Sequence, residues 1–122
     1  MTVTELAQDC YQTAQAHGFT FENIEQKLLL AVGEICEALE ELRKGASPTG
    51  IYYPFLGLAS ASDDYTSEAC WNKKPEGFPI EIADAIIRLL DLSIALGIDI
   101  EHAIHLKNAY NKTRPWKHGK EF

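Results

Sequence analysis

The sequence predicts an all-α protein of the four-helix-bundle type, with a long lid-like insertion between the second and third helices. Two observations favour this class. Apolar residues recur with helical spacing through residues 21–44 and 79–96. Residues that typically begin and end helices bound each of four segments. The chain has 122 residues, 46% of them hydrophobic and 24% charged, so we expect a single globular domain over residues 1–122.

The first two helices have recognisable ends. Thr2 and Glu5 have the spacing of a capping box, and the helix that they start is expected to end near residues 17–18. A second helix is predicted from about residue 21 to residue 44. Gly45 is its expected stop, because glycine readily adopts the left-handed conformation that terminates helices.

The third and fourth helices are bounded in the same way. Pro79 suits the first position of a helix, where its missing N–H group is not needed, and Gly97 is the expected end of that helix. Asp99 can cap a fourth helix. This helix must stop before Pro115, because a proline disfavours the helical conformation of the residue that precedes it.

Residues 46–78 form the insertion and are rich in glycine, proline, serine and aromatic residues. A structureless loop of this length is improbable in a compact domain, so we expect a short helix within residues 62–71 that packs over another part of the protein as a lid or ligand wall. Tyr52, Tyr53 and Trp71 are candidates for a nucleobase pocket. Alternatively, these aromatic residues close the end of the core or pack on a neighbouring subunit.

Two of the predicted helices carry pairs of acids spaced three residues apart. Glu34 and Glu37 lie on the second helix, and Glu81 and Asp84 lie on the third. At this spacing both carboxylates of a pair point to the same side of their helix. Four carboxylates that converge repel one another unless a cation lies between them. Oxygen ligands of this kind select Mg²⁺, with Mn²⁺ as a substitute, so the four acids are candidate metal ligands.

Acid pairs with this spacing are also common on solvated helix faces. Here both pairs lie on the two most apolar helices, where solvent exposure is the poorest explanation, and this placement favours a metal site. Glu40 and Glu41 are weaker candidates, because either is also explained as a surface acid paired with Arg43 or Lys44.

Arg88 and Asp91 continue the charged stripe of the third helix beyond Asp84. At about 100° per residue, the four charged side chains of this stripe fall within an arc of roughly 80°. We expect Arg88 to pair with Asp84 or Asp91 and so to fix the third helix, which is a structural role.

Charge and composition exclude several classes of protein. The net charge is −7, with 17 acids and six bases in residues 1–106, whereas residues 107–122 hold five bases and one acid. A polymeric nucleic acid needs an extended basic face, so it is not an expected partner, and the short basic tail suits a small phosphate ligand better. No apolar run approaches the ~18 residues of a membrane span, and residues 1–9 contain no lysine or arginine. Three widely spaced cysteines support no disulfide framework, so we expect a cytoplasmic protein with no membrane partner.

Three segments together resemble the MazG-like nucleoside triphosphate pyrophosphohydrolases: residues 27–40 (KLLLAVGEICEALE), residues 81–91 (EIADAIIRLLD) and residues 107–122 (KNAYNKTRPWKHGKEF). The resemblance covers roughly residues 21–45 and 78–122. It implies an all-α bundle, dimeric or tetrameric, that uses Mg²⁺ to hydrolyse a (deoxy)nucleoside triphosphate to the monophosphate and pyrophosphate.

The resemblance also implies roles for single residues. The EExxE motif of the family corresponds to Gly33, Glu34 and Glu37, and its ExxD motif corresponds to Glu81 and Asp84. Gly33 departs from the family pattern, because an acid usually stands there. The interval between the motifs is also longer than usual, which leaves the nucleobase pocket undefined. The long interval together with this kind of tail resembles family members that act on purine deoxynucleotides. The resemblance therefore implies dGTP or dATP as the substrate, with dCTP or dUTP as the next choice.

Within this assignment, Glu34 or Glu37 orients the attacking water, and Glu81 and Asp84 mainly hold the metal. The resemblance suggests phosphate contacts from the tail, and the spacing of three of the residues places them on one helix face. The complete phosphate-binding prediction comprises Lys27, Lys107, Asn111, Lys112 and Arg114. The alternative for the tail lysines Lys112, Lys117 and Lys120 is that they only keep the C-terminal extension soluble.

Residues 80–96 contain 12 apolar residues among 17, more than three short helices can cover, so we expect a homodimer or homotetramer. Two other functions remain open. A carboxylate-bridged di-iron bundle needs Glu-x-x-His on two helices, but His102 and His105 lie only on the fourth helix and neither has a glutamate three residues ahead. A non-catalytic bundle that senses nucleotides or binds a partner is the stronger alternative.

Overall fold

The computed structural model describes residues 1–54 and 73–122, and its regular structure in these ranges is helical. Four α-helices occur in the order α1 (Val3–Ala16), α2 (Ile24–Arg43), α3 (Phe78–Ala95) and α4 (Ile100–Lys112), followed by a short 3₁₀ helix at Trp116–Gly119. The β structure of the described ranges is one isolated antiparallel bridge between Tyr52 and Glu76. The prediction of an all-α protein with four helices is confirmed. The helix predicted within residues 62–71, and Trp71 itself, lie outside the described residues.

The predicted caps of α1 and α4 are present. The hydroxyl of Thr2 accepts a hydrogen bond from the Glu5 amide at 3.0 Å, and the Glu5 carboxylate accepts one from the Thr2 amide at 2.7 Å. The Asp99 carboxylate accepts a hydrogen bond from the His102 amide at 3.0 Å. These short-range contacts satisfy backbone N–H groups that have no partner within the first turn of a helix.

The predicted stops are present as well, whereas the start of α2 differs. Gly45 and Gly97 take left-handed conformations with φ of 88° and 72°, each two residues after the end of its helix, α2 or α3. Helix α2 begins at Ile24, three residues after the predicted start. Phe21 instead packs its ring against that of Tyr11, with 5.4 Å between the centroids. Asn23, of a residue type favoured at helix N-caps, then precedes the helix.

The contacts of the described chain divide it into two compact units. The first comprises Met1–Ile24 and Leu89–Phe122, and the second comprises Glu25–Arg88. In the first unit, Glu101 near the start of α4 accepts hydrogen bonds from the Val3 amide at 3.2 Å and from the Thr4 hydroxyl at 2.9 Å. These bonds join the first turns of α1 and α4. The second unit contains α2, the first part of α3 and the segment that carries the β-bridge.

Small residues supply the buried positions of the second unit. Ala31 and Ala38 on α2 and Ala85 on α3 are buried. The large apolar residues of α2 are not covered by the single chain: Leu29 is 70% exposed and Leu39 is 56% exposed. No large side chain among residues 1–54 and 73–122 is fully buried. The apolar residues of α2 are therefore largely exposed in the single chain, although Glu34 on the same helix is half-buried.

None of the helices in the described ranges combines the length and the hydrophobicity that a membrane crossing needs.

Candidate metal centre

Three of the four predicted metal ligands converge within the second unit. Glu34 comes from α2, and Glu81 and Asp84 come from the first two turns of α3. One carboxylate oxygen from each lies within 4.8 Å of the other two, and all three residues are half-buried. Glu81 and Asp84 point the same way because residues three apart in a helix are neighbours on its surface. The cluster therefore joins two helices that are distant in sequence.

Glu37 completes the group of four acids. Its side chain is exposed, and its carboxyl group is close enough to affect the pKa values of Glu34 and Glu81. The structure thus brings together the four acids that the sequence singles out, with three in the half-buried cluster and one at its open side.

Arg88 contacts this cluster directly. Its Nε atom donates a hydrogen bond to the Oε1 atom of Glu34 at 2.8 Å, and both side chains are partly shielded from solvent. The sequence predicts that Arg88 pairs with Asp84 or Asp91 on its own helix. Its charge does lower the pKa of Asp84, and its short ion pair is with Glu34 on α2. Arg88 consequently links α3 to α2 instead of stabilising α3 alone.

The electrostatics show how strongly the acids repel one another. Burial, the hydrogen bond to Glu37 and the charges of Glu37, Asp84 and Glu34 raise the pKa of Glu81 from 4.5 to about 7. Burial and the Glu34 charge also raise the pKa of Asp84, against the opposing effects of Arg88 and Lys74. The cluster without a cation therefore holds a proton near neutral pH.

Glu34 behaves in the opposite way. Burial raises its pKa, but the hydrogen bonds from Arg88 and Glu37 outweigh burial and hold the pKa below 4.5. Glu34 is therefore the carboxylate of the cluster that stays ionised most readily, and its charge is balanced in part by the guanidinium.

The donor set fits a divalent cation. Mg²⁺ binds oxygen ligands at about 2.1 Å, so two oxygens on one ion lie roughly 3–4 Å apart, a spacing that small side-chain adjustments reach from the observed cluster. The donors are all carboxylate oxygens, which suit Mg²⁺ and Mn²⁺ better than Zn²⁺ or Cu²⁺. Glu34, Glu81 and Asp84 are the residues that would hold the ion.

Three other predicted site residues, Tyr52, Tyr53 and Lys27, differ in their exposure to solvent. Tyr52 and Tyr53 lie in the second unit and are 39% and 50% exposed. Lys27 is half-buried near the start of α2. That Tyr52, Tyr53 and Lys27 contact the substrate stays a prediction.

The predicted phosphate-binding residues of the tail belong to the first unit. The Lys107 ammonium and the Arg114 guanidinium both lie over the ring of Tyr110, at 4.9 Å and 5.7 Å from its centroid. Lys112 is exposed at the end of α4. The Oδ1 atom of Asn111 is buried with no hydrogen-bond donor among the described residues. Two cations thus contact one aromatic ring, and both are of a kind that binds anionic ligands.

Sequence reasoning missed the burial of Glu41 and the contribution of Lys74 near the cluster. Glu41 is not a surface acid but is 5% exposed, and the Tyr52 hydroxyl lies 2.9 Å from each of its carboxylate oxygens. Its neighbour Glu40 does form the expected exposed ion pair with Arg43, at 2.7 Å. Lys74 lowers the pKa of Asp84 through its charge. The spacing of residues 34, 37 and 41 on one helix face is the signal that could have grouped Glu41 with the other acids.

Comparison with known proteins gives one partial likeness. Over 38 residues the chain is 47% identical to the dATP/dGTP diphosphohydrolase of Cyanophage S-2L, and this match covers 31% of the chain and 36% of the phage protein. In this match, the chain covers about a third of the length of the phage protein. No protein-family model and no solved structure matches the chain.

Proposed function

We propose that the protein is a Mg²⁺-dependent nucleoside triphosphate pyrophosphohydrolase of the MazG-like type, which converts a (deoxy)nucleoside triphosphate to its monophosphate and pyrophosphate. The observation that carries the proposal is the cluster of three carboxylate oxygens within 4.8 Å, contributed by Glu34, Glu81 and Asp84. The name of the phage relative, a dATP/dGTP diphosphohydrolase, supports the same chemistry.

A divalent cation bound by these carboxylates would neutralise charge that develops on the phosphate oxygens during hydrolysis. The chain's own acids then divide into two roles. Glu81 and Asp84 hold the cation together with Glu34, whose Oε1 atom is already fixed by Arg88. Glu37 is exposed beside them, so it is the acid best placed to orient a water and accept its proton as the water attacks the α-phosphorus and pyrophosphate leaves.

The substrate proposed is a purine deoxynucleotide, dGTP or dATP. Support comes from the printed name of the phage relative and from the long interval between the two acidic motifs. Lys107 and Arg114, which both contact the ring of Tyr110, are proposed as phosphate contacts, together with Lys27, Asn111 and Lys112. Tyr52 and Tyr53 are proposed to line the base pocket.

A homodimer or homotetramer is part of the proposal. Leu29, Val32, Ile35 and Leu39 on α2 are each more than half exposed in the single chain. Apolar residues on one helix that stay uncovered favour association, because covering them removes apolar surface from water. Sedimentation at micromolar concentration is the direct measurement.

The test is a turnover panel with all common NTPs and dNTPs in the presence of Mg²⁺, with pyrophosphate release as the readout. Asp84→Asn is expected to lower turnover by at least about a hundredfold, because it removes a charged ligand of the cation. Glu40→Gln is the matched control, since Glu40 lies on α2 but pairs with the exposed Arg43. Nucleotide binding without pyrophosphate release would overturn the enzyme proposal and favour a nucleotide sensor.

A further inference from the structure

A buried acid outside the metal cluster is the feature that the proposed reaction leaves unexplained. Glu41 is 5% exposed. An ionised carboxylate with so little access to solvent is costly unless other groups stabilise it. The nearest cation is Lys44, whose Nζ atom lies 3.9 Å away on a side chain that is 68% exposed, so this ion pair contributes little. Glu41 therefore needs a better partner than Lys44.

Tyr52 is that partner. Its hydroxyl lies 2.9 Å from both Oε1 and Oε2 of Glu41, so a single O–H group donates to a carboxylate that shares its charge between two oxygens. Hydrogen bonds to ionised groups are stronger than those between neutral groups. The interaction also raises the pKa of Tyr52, so the hydroxyl keeps the proton that it donates.

The backbone of Tyr52 is tied to the residue that leads into α3. The Tyr52 amide donates to the Glu76 carbonyl at 2.9 Å, and the Glu76 amide donates to the Tyr52 carbonyl at 2.8 Å. These two bonds form the isolated antiparallel bridge. The side chain of Tyr52 therefore anchors on α2, and its backbone anchors on the start of α3.

Gly77, the residue after Glu76, links the bridge to Glu81 by a hydrogen bond. Gly77 follows Glu76 with φ of 125°, and a Cβ atom there would collide with the carbonyl oxygen of Gly50. Glycine is therefore required at this position. The Gly77 carbonyl accepts the hydrogen bond of the Glu81 amide at 3.1 Å. A continuous set of hydrogen bonds thus runs from Glu41 on α2 to the first turn of α3.

We propose that Glu41 and Tyr52 form a positioning pair that sets the place of Glu81 relative to the cation-binding carboxylates of α2, an inference that rests on the proposed metal-dependent function. Cation sites are sensitive to such support, because a ligand displaced by about 1 Å no longer binds productively. Arg88 and Glu34 hold the two helices together at one end of the cluster, and Glu41 with Tyr52 holds them at the other end.

The test measures Mn²⁺ binding to the full chain without nucleotide, by electron paramagnetic resonance, in the variants Tyr52→Phe and Glu41→Gln. Tyr52→Phe removes a single oxygen atom and is expected to weaken Mn²⁺ binding about tenfold, the usual effect of losing a group that orients a ligand. Glu41→Gln keeps an acceptor for the hydroxyl and is expected to weaken binding less. The double variant should bind Mn²⁺ like Tyr52→Phe alone, because both changes affect the same hydrogen bond between Tyr52 and Glu41.

Glu40→Gln is the control, because it changes the adjacent acid and leaves Glu41 and Tyr52 intact. At saturating Mn²⁺, nucleotide turnover by Glu41→Gln should return to within about twofold of the unmodified protein, since Glu41 is proposed to contact neither the cation nor the substrate. If Tyr52→Phe melts below the assay temperature, the comparison of Glu41→Gln with Glu40→Gln decides the question in the same assay.

The inference is refuted if Tyr52→Phe and Glu41→Gln bind Mn²⁺ as tightly as the control, even if both lower the melting temperature. This outcome differs from failure of the proposed function. Loss of Mn²⁺ affinity in a protein that releases no pyrophosphate from any nucleotide would retain the positioning pair and reject the enzyme. Pyrophosphate release by variants with unchanged Mn²⁺ affinity would retain the enzyme and reject the positioning pair.

Discussion

Glu81→Gln is expected to stabilise the protein without a cation and, in the same molecule, to abolish stabilisation by Mg²⁺. The pKa of Glu81 is raised from 4.5 to about 7, and each pKa unit corresponds to about 1.4 kcal/mol. The ionised form of Glu81 therefore costs the fold up to about 3 kcal/mol. Because Glu81 is only half-buried and its proton binding depends on the neighbouring carboxylates, about 1–2 kcal/mol is the working value.

The sign of the pH dependence follows from proton binding. Between pH 4.5 and about 7 the folded state holds a proton on Glu81 that the unfolded state has released. The favourable contribution of this proton is therefore complete below pH 4.5 and is lost as the pH rises through about 7. Glutamine carries no charge, so the variant should not show this loss.

The assay is urea unfolding at about pH 5.5 and pH 8, in EDTA and in excess Mg²⁺. In EDTA at the higher pH, Glu81→Gln should exceed the unmodified protein in free energy of unfolding, and the difference should shrink at the lower pH. Mg²⁺ should stabilise the unmodified protein, most strongly at the higher pH, because binding displaces the proton. Equal stabilisation of both proteins by Mg²⁺, or no pH dependence in their difference, would refute the reasoning.

Three further outcomes are expected. Gly33→Ala should raise the free energy of unfolding by about 0.5–1 kcal/mol in urea titrations, because a Cβ at this helical position meets no described atom within 4 Å; a loss of stability would contradict this. Arg88→Gln should cost about 1–2 kcal/mol in EDTA by removing the hydrogen bond to Glu34, and less in Mg²⁺, where the cation balances that carboxylate; an equal loss in both conditions would count against a cation at Glu34. Arg114→Gln should raise the KM for the nucleotide about tenfold in steady-state assays with kcat changed less, whereas Lys120→Gln should leave KM unchanged; equal effects of the two changes would reject the phosphate contact.

The sequence predicted the helices well because their ends depend on short-range chemistry. Thr2 and Glu5 are three residues apart, so a capping box can be recognised without knowledge of the tertiary structure. Asp99 caps α4 for the same reason, and Gly45 stops α2 through its own backbone freedom. Among the helix ends in residues 1–54 and 73–122, the start of α2 differs most from its prediction.

The contacts around the cluster could not be predicted with the same certainty, because they join residues that are far apart in sequence. Arg88 lies 54 residues from Glu34, and the sequence suggested only acids on the same helix as partners. Glu41 looked like a surface acid because two cations follow it within three residues. Its burial depends on Tyr52, and the position of Tyr52 depends on a bridge to Glu76 that no local pattern indicates.

Charged residues on α2 and α3 repeat with the same spacing. The acids at the two ends of the cluster have stabilising partners, whereas the pKa of the acid between them is raised. At one end Glu34 is balanced by Arg88. At the other end the Tyr52 hydroxyl stabilises Glu41. Negative charge is left concentrated between these ends, where the pKa of Glu81 is raised to about 7. An ordinary salt-bridge network would not produce this result, because it would lower the pKa values of its acids throughout. The distribution of charge therefore favours a cation between the two ends over a purely structural role for the acids.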